Sequence, residues 1–273
     1  MATVEKKGLL GIDIGGSGIK GALVDVDQGV LVANRFQVPT PFPSTPNAIA
    51  KVVGNSVEHF DYKGSIGCTF PAIIQQDIAL SAANVDAAWI GTNVVSLFCD
   101  VTRQPVYVLN DADGAGVAEM VFGAGRAESG VVCMLTFGTG IGSALFIDSQ
   151  LVPNTELGHL ELNGREVEPW VAPRVRKNEN LSWKCWAKRV YEYLQYLESI
   201  FSPDLFIIGG GVSGKSEKFF PHLKIKTAIT PALLGNEAGI VGAAYLASRT
   251  STTIRQILIA LVLWKVRSKK IEI

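Results

Sequence analysis

Three times along this chain a short apolar run breaks into glycines: at Gly15-Gly16, at Gly138-Thr139-Gly140 and at Gly209-Gly210-Gly211. Apolar runs of four to eight residues bounded by turn residues read as buried strands. Glycine lets the backbone reverse sharply and approach a ligand closely. One such junction is an ordinary turn. Three of them, each closing a strand, call for an α/β design in which strand ends converge on a common site.

Residues 8–38 read as three short strands, a β-meander with reversals at Gly15-Gly16 and near Asp27, Gln28 and Gly29. The proline-rich loop 39–46 precedes a helix over 47–59, a buried strand over 65–70, a helix over 93–101 and a strand over 106–109. The pattern then restarts, with strand 131–136, glycine turn 138–142 and strand 143–147. A loop rich in Glu, Gly and His follows. Apolar positions 183, 186, 190, 194, 197 and 201 keep helical spacing and predict an amphipathic helix over 181–201. A strand over 205–208 and a small-residue helix over 237–247 complete the reading. Two strand-rich halves, each opening on a glycine turn, imply a duplicated architecture around a cleft. They divide as 1–112 and 113–249, with the last helix able to pack back on the first half and 250–273 left as a tail.

Asp13 stands at the end of the first strand, followed by Gly15, Gly16, Ser17 and Lys20. Such a turn brings backbone N–H groups, a hydroxyl and an ammonium to phosphate oxygens, although a glycine-rich hairpin is more often only a tight turn. The spacing is not that of a P-loop, because no GxxxxGK[ST] occurs and a strand is expected next. Gly138, Thr139 and Gly140 repeat the same chemistry. Gly209, Gly210 and Gly211 are read as lying between a strand and a helix, whose N-terminus favours an anion.

Asn110-Asp111 falls at a strand's carboxyl end. An aspartate there can take the proton of an attacking hydroxyl, a role worth about 10²- to 10⁴-fold. The competing reading is helix capping, since Asp111 precedes the run 112–122 and Asp is a favoured N-cap. Asp113 is a rival for either role. Glu156 and His159, with Glu161 and Glu168 downstream, add planar polar groups of the kind that bind several sugar hydroxyls at once; the bland alternative is a solvated loop.

Lys plus Arg and Asp plus Glu balance at 25 each, so no whole-molecule field draws a polyanion and nucleic acid is not an expected partner. Cys68, Cys99, Cys133 and Cys185 are far apart, without zinc-site spacing, and read as reduced core thiols. The first residues lack the apolar core of a secretory signal and no segment reaches the roughly 20 apolar residues of a membrane span, so a cytoplasmic protein is expected. The apolar run 257–264, followed by Lys265, Arg267, Lys269 and Lys270, reads as a packing or self-association element, with a membrane-surface helix as the alternative.

The motifs DIGGSGIKGALVD, LNDADGAGVAE, LTFGTGIGSAL, ELGHLEL and LSWKCWAKRVYEYLQYLESIFSPDLFIIGGGVSGK together resemble the ROK family of sugar kinases, and within it the polyphosphate glucokinase branch. The resemblance runs from about residue 9 to 247. It implies the actin/hexokinase-like (ribonuclease H-like) ATPase fold, two α/β domains around a central cleft, and a homodimer. The implied activity is phosphorylation of glucose, with mannose as a further acceptor, from inorganic polyphosphate or ATP with Mg²⁺. By the same resemblance Asp111 would be the catalytic base and Asn84, Asn110, Glu156, His159 and Glu168 sugar ligands. Asp13 would help hold Mg²⁺ and phosphate. The turns at Gly15–Ser17 and Gly138–Gly140 would hold donor phosphates, and Gly209–Gly211 the adenosine region. Many relatives carry a cysteine-rich zinc motif after the Gly-His pair; LELNGREVEPWV contains no cysteine, so no structural zinc is expected.

A long polyphosphate needs a basic track. Arg174, Arg176 and Lys177 precede the amphipathic helix, Lys184 and Lys188 share one of its faces, and Arg189 adjoins them; an ordinary solvated helix face is the equal alternative. Three rivals to the enzyme reading are a strictly ATP-dependent glucokinase, a sugar-responsive repressor and a filament-forming actin relative. The repressor is disfavoured because the first phosphate turn lies within the first 20 residues, and the filament former by the ELGH loop.

Overall fold

Short apolar runs make two separate large sheets. The computed structural model describes residues 8–250. The first half contains β1 (Leu9–Ile14), β2 (Gly18–Asp25), β3 (Val30–Leu31), β4 (Phe36–Pro39), α1 (Pro46–His59), β5 (Ile66–Phe70), β6 (Ile74–Gln75), β7 (Ile78–Ala79), α2 (Val94–Thr102) and β8 (Val106–Asn110). The order is β3-β2-β1-β5-β8, with β4 also on β2. β1, β5 and β8 run parallel, while β2 is antiparallel to β1. The expected three-stranded meander has a split third member, because residues 32–35 leave the ladder between β3 and β4.

α3 (Asp111–Phe122) leads into β9 (Val131–Phe137), β10 (Ile141–Ile147), β11 (Gln150–Val152), β12 (Glu161–Leu162), β13 (Arg165–Glu166), α4 (Glu168–Val171), α5 (Pro173–Asn178), α6 (Trp183–Phe201), β14 (Leu205–Gly209) and β15 (Ala228–Pro231). The second large sheet has the order β11-β10-β9-β14-β15, with β9, β14 and β15 parallel. α6 buries Trp186, Val190, Leu194 and Leu197 on the stripe that the sequence marks out, and these pack on Phe137 and Phe206. Such burial is the main stabilising contribution, at roughly 25 cal/mol per Å² of apolar surface.

The helix over 238–250 returns to the first sheet, where Ile240, Val241 and Ala244 join Ala22 and Val24. Gly11 and Gly67 permit its approach. A Cβ on Gly11 would lie 2.0 Å from the carbonyl oxygen of Ile240, and one on Gly67 would lie 1.7 Å from that of Ala243. Helix backbone thus rests on strand backbone.

Two expectations are corrected. No α-helix follows the third glycine turn: residues Ser213–Lys218 form 3₁₀ turns interrupted at Lys215, so an α-helical dipole is not aimed at Gly209–Gly211. Cys68 and Cys133 are buried core thiols, but Cys185 is exposed on the outer side of α6's first turn. Among the described residues no helix is long and apolar enough to cross a membrane. The 257–264 run lies outside the described residues.

Candidate active site

α3 begins at the residue where β8 stops, so Asn110 and Asp111 occupy a strand end and a helix start together. The cap is Asn110, whose Oδ1 accepts the N–H groups of Ala112 at 2.8 Å and Asp113 at 3.1 Å. Its extended backbone swings the side chain over those donors. Its Nδ2 donates to the carbonyl of Ala72 at 3.1 Å. Asp111 is already helical, accepts only the adjacent Ala112 N–H at 2.8 Å and turns its carboxyl group toward two cavities.

The larger cavity, about 560 Å³, lies between Pro71–Ile73, Ser81 and Asn84 on one side and Gly138–Ser143, Glu156, His159 and Glu168 on the other. The smaller, about 160 Å³, is lined by Asp13, Lys20, Gly209, Gly210, Asn236 and Gly239 among others. Asp111, Thr136 and Gly210 line both.

Gly16, Ser17, Asn110 and Thr139 join the larger cavity with Asn84, Gly138, Gly140, Glu156, His159 and Glu168, so the sugar candidates and two of the glycine turns share one space. Gly15 and Gly211 line neither cavity. Gly15 instead closes its turn, donating to the Gly18 carbonyl at 3.0 Å. Lys184, Lys188 and Arg189 also lie away from both. Lys184 and Lys188 are exposed on α6. Arg189 is tied down, donating to Glu179 Oε2 at 2.6 Å and to the Trp170 carbonyl at 3.1 Å.

Burial, reinforced by the nearby charge of Asp13, pushes the Asp111 carboxyl up to about 7, the range in which a carboxylate serves best as a general base. Burial also raises Glu156. His159 is raised chiefly by its hydrogen bond with Glu166, Nδ1 to Oε1 at 2.5 Å, and its Nε2 stands 4.0 Å from Glu156. Glu168 has both oxygens engaged: Oε2 accepts the Ile141 N–H at 2.8 Å, and Oε1 the Arg174 guanidinium at 3.2 Å.

Asp13 accepts the Thr69 hydroxyl on Oδ1 at 2.8 Å and faces Lys20 from Oδ2 at 3.5 Å. Among the described residues no group of three or more His, Cys, Asp or Glu gathers to hold a metal. A site with so few carboxylates is compatible with Mg²⁺, which keeps several waters and takes other oxygens from substrate phosphates.

Sequence reasoning missed the Pro71–Ile73 wall, Ser81 and Ser143. The wall has no single-residue signature. Ser143 takes the Leu157 N–H on its Oγ at 3.0 Å and donates to the Thr155 carbonyl, holding the Glu156 loop from β10.

Comparison with known proteins bears on this arrangement. A polyphosphate glucokinase of Mycobacterium tuberculosis (strain ATCC 25618 / H37Rv) is 47% identical over 92% of this chain and 95% of its own. The crystal structure of inorganic polyphosphate/ATP-glucomannokinase from Arthrobacter sp. strain KM superposes with a TM-score of 0.86 at 44% identity, over 90% of this chain and 100% of that one. A ROK family glucokinase from Streptomyces griseus shares the fold, with a TM-score of 0.76 at 24% identity over 88% and 99% of the two chains. The model of the ROK family matches residues 9–185, and with two glycine-turn sheets meeting at Asp111 this chain belongs to the ROK family.

Proposed function

We propose that this chain is a glucokinase that transfers the terminal phosphoryl group of inorganic polyphosphate or ATP to O6 of glucose. The observation that carries the reading is the position of Asp111, a carboxyl group raised to about 7 at the one junction where a sugar-sized cavity meets a cavity lined by Asp13 and Lys20. The kinship with polyphosphate glucokinase supplies the donor.

In this reading glucose occupies the larger cavity, bound by Asn84, Asn110, Glu156 and His159. Glu168 contributes from its place beside Gly140. Asp111 takes the proton of the O6 hydroxyl as that oxygen attacks the terminal phosphorus. The bridging P–O bond breaks, and a polyphosphate shorter by one unit, or ADP, departs. Ser17, Thr139 and the backbone N–H groups of the glycine turns bind donor oxygens, and Lys20 neutralises charge. Mg²⁺ held near Asp13 would spread the charge of the transferring group. The lobes 1–112 and 113–249 close over the substrates and exclude water, which would otherwise accept the phosphoryl group. Mannose presents O6 to Asp111 in the same way and is a second acceptor. The enzyme works in the cytoplasm as a homodimer.

The test is a coupled glucose 6-phosphate assay with Mg²⁺, run in parallel with ATP and with nucleotide-free long-chain polyphosphate. Turnover with polyphosphate is expected. Turnover with ATP alone would remove polyphosphate from the reading, and turnover with neither would overturn it.

A further inference from the structure

Pro71–Ile73 form one wall of the larger cavity, and side chains from three parts of the sequence hold the main chain there in register. The Ala72 carbonyl accepts Asn110 Nδ2 at 3.1 Å, and the Ile73 N–H donates to Ser81 Oγ at 2.9 Å. Ile74 is held at both of its backbone groups by a single amide: its N–H donates to Asn154 Oδ1 at 2.9 Å, and its carbonyl accepts Asn154 Nδ2 at 2.9 Å.

Asn154 belongs to the opposite side of the cleft, just past β11 and two residues before Glu156. Its backbone is left-handed, φ 58°, a conformation that Asn tolerates better than most residues. Its own N–H donates to Asp113 Oδ2 at 2.8 Å. Asp113 is 1% exposed and sits in the first turn of α3, two residues beyond Asp111. The two large sheets share no strand, so nothing in either ladder fixes the distance between the wall 71–74 and the Glu156 loop. The Asn154 amide spans that distance.

We propose that Asn154 is a positioning residue for the sugar, setting the separation between the Pro71–Ile73 wall and Glu156, with Asp113 as its anchor. The proposal rests on the reading that the larger cavity receives the hexose. A hexose offers hydroxyls in a rigid pattern, and hydrogen bonds weaken steeply when partners shift by a few tenths of an ångström or misalign. A wall released from its amide therefore loses sugar affinity, while the donor turns, built on β1–β2 and β9–β10, keep theirs.

The experiment compares steady-state kinetics of wild type, Asn154→Gly, Asp113→Ala and Asp113→Asn, varying glucose at saturating polyphosphate and the reverse, with thermal melts alongside. Asn154→Gly deletes the amide and keeps the left-handed backbone free of strain. The glucose KM is expected to rise about tenfold in Asn154→Gly and Asp113→Ala, with kcat and the polyphosphate KM within about twofold of wild type. Asp113→Asn, which keeps an acceptor for the Asn154 N–H, restores the glucose KM. A folded Asn154→Gly with wild-type glucose KM, or with both KM values rising together, overturns the proposal. Should Asn154→Gly not fold, the equal-sized Asn154→Asp carries the same test, because it sets a second acceptor against the Ile74 carbonyl. A wild-type chain inactive with both donors defeats the functional reading itself and this proposal with it; an active wild type with unmoved variants defeats this proposal alone.

Discussion

Glu168 accepts the backbone N–H of Ile141 at 2.8 Å, so a carboxylate at the sugar side of the cleft holds the residue that closes the second glycine turn. With Arg174 on its other oxygen, it links the proposed sugar site to the proposed donor turn. Glu168→Ala is expected to raise the KM for polyphosphate and for glucose, each about tenfold, the loss of a charge-assisted hydrogen bond. Glu168→Gln keeps one acceptor and should lose less. Initial-rate grids over both substrates separate these outcomes; an unchanged donor KM in Glu168→Ala would detach the residue from the turn.

In the proposed mechanism Asp111 takes a proton, which it can do only when ionised. Because its carboxyl is raised to about 7, kcat/KM should climb with pH through that region and level off above it. Asp111→Asn should lower kcat by about 10²- to 10⁴-fold while glucose still binds, and should flatten the limb. A profile with its acid limb near pH 4, or near-normal turnover in Asp111→Asn, would reassign the base.

Asp113 is also raised to about 7, mainly by burial, and its Oδ1 is buried without a hydrogen-bond partner. An acid whose folded value exceeds its unfolded value favours folding when protonated. That contribution is fully present below about pH 4 and lost as pH rises to about 7. Asp113→Asn should therefore be more stable than wild type at pH 8, on the order of 2 kcal/mol, with the advantage shrinking by pH 5. Urea unfolding at the two pH values measures it, and a pH-independent difference would mean that the carboxyl is not strained by burial.

Glu119 is fully buried and accepts three backbone N–H groups, those of Ala124 at 2.8 Å, Leu233 at 3.1 Å and Leu234 at 2.7 Å. It ties α3 to the loop that enters the 238–250 helix. Glu119→Ala leaves those donors unsatisfied and should cost about 3 kcal/mol or more of stability. Glu119→Gln, isosteric and still an acceptor, should cost less. Equal losses would point to packing rather than hydrogen bonding.

Lys184 and Lys188 are exposed beside each other on α6, whereas Arg189 is committed to Glu179 and Trp170. If the two lysines guide a long anionic chain, Lys184→Glu with Lys188→Glu should raise the polyphosphate KM at least fivefold at low salt and leave the ATP KM within about twofold. Equal effects on both donors would end the track idea.

Much of this architecture is legible in the chain because its signals are local. The apolar runs of β1, β5, β8, β9 and β14, the stripe of α6 and the glycine turns depend on near neighbours. The separation of Asn110 as cap from Asp111 as cavity carboxylate depends on one backbone angle, which type and spacing alone leave open. The pairing of Asn154 with Ile74 joins residues eighty positions apart through main-chain atoms, and main chain has no identity to read. The third glycine turn misleads for a related reason: a strand running into glycines suggests a helix next, but Ser213, Gly214 and Ser216 are weak helix formers and Pro221 soon follows, so only 3₁₀ turns form.

The bare backbone of Gly11 and Gly67 beneath the 238–250 helix has a consequence for anyone who maps this gene by saturation mutagenesis. Neither position lines either of the two cavities described, yet in a screen scored on sugar phosphate formed both would register as sharply as Asp111. Scored instead on soluble yield, they should separate from it at once, since every added side chain lifts the helix off the sheet while Asp111→Asn leaves the fold untouched.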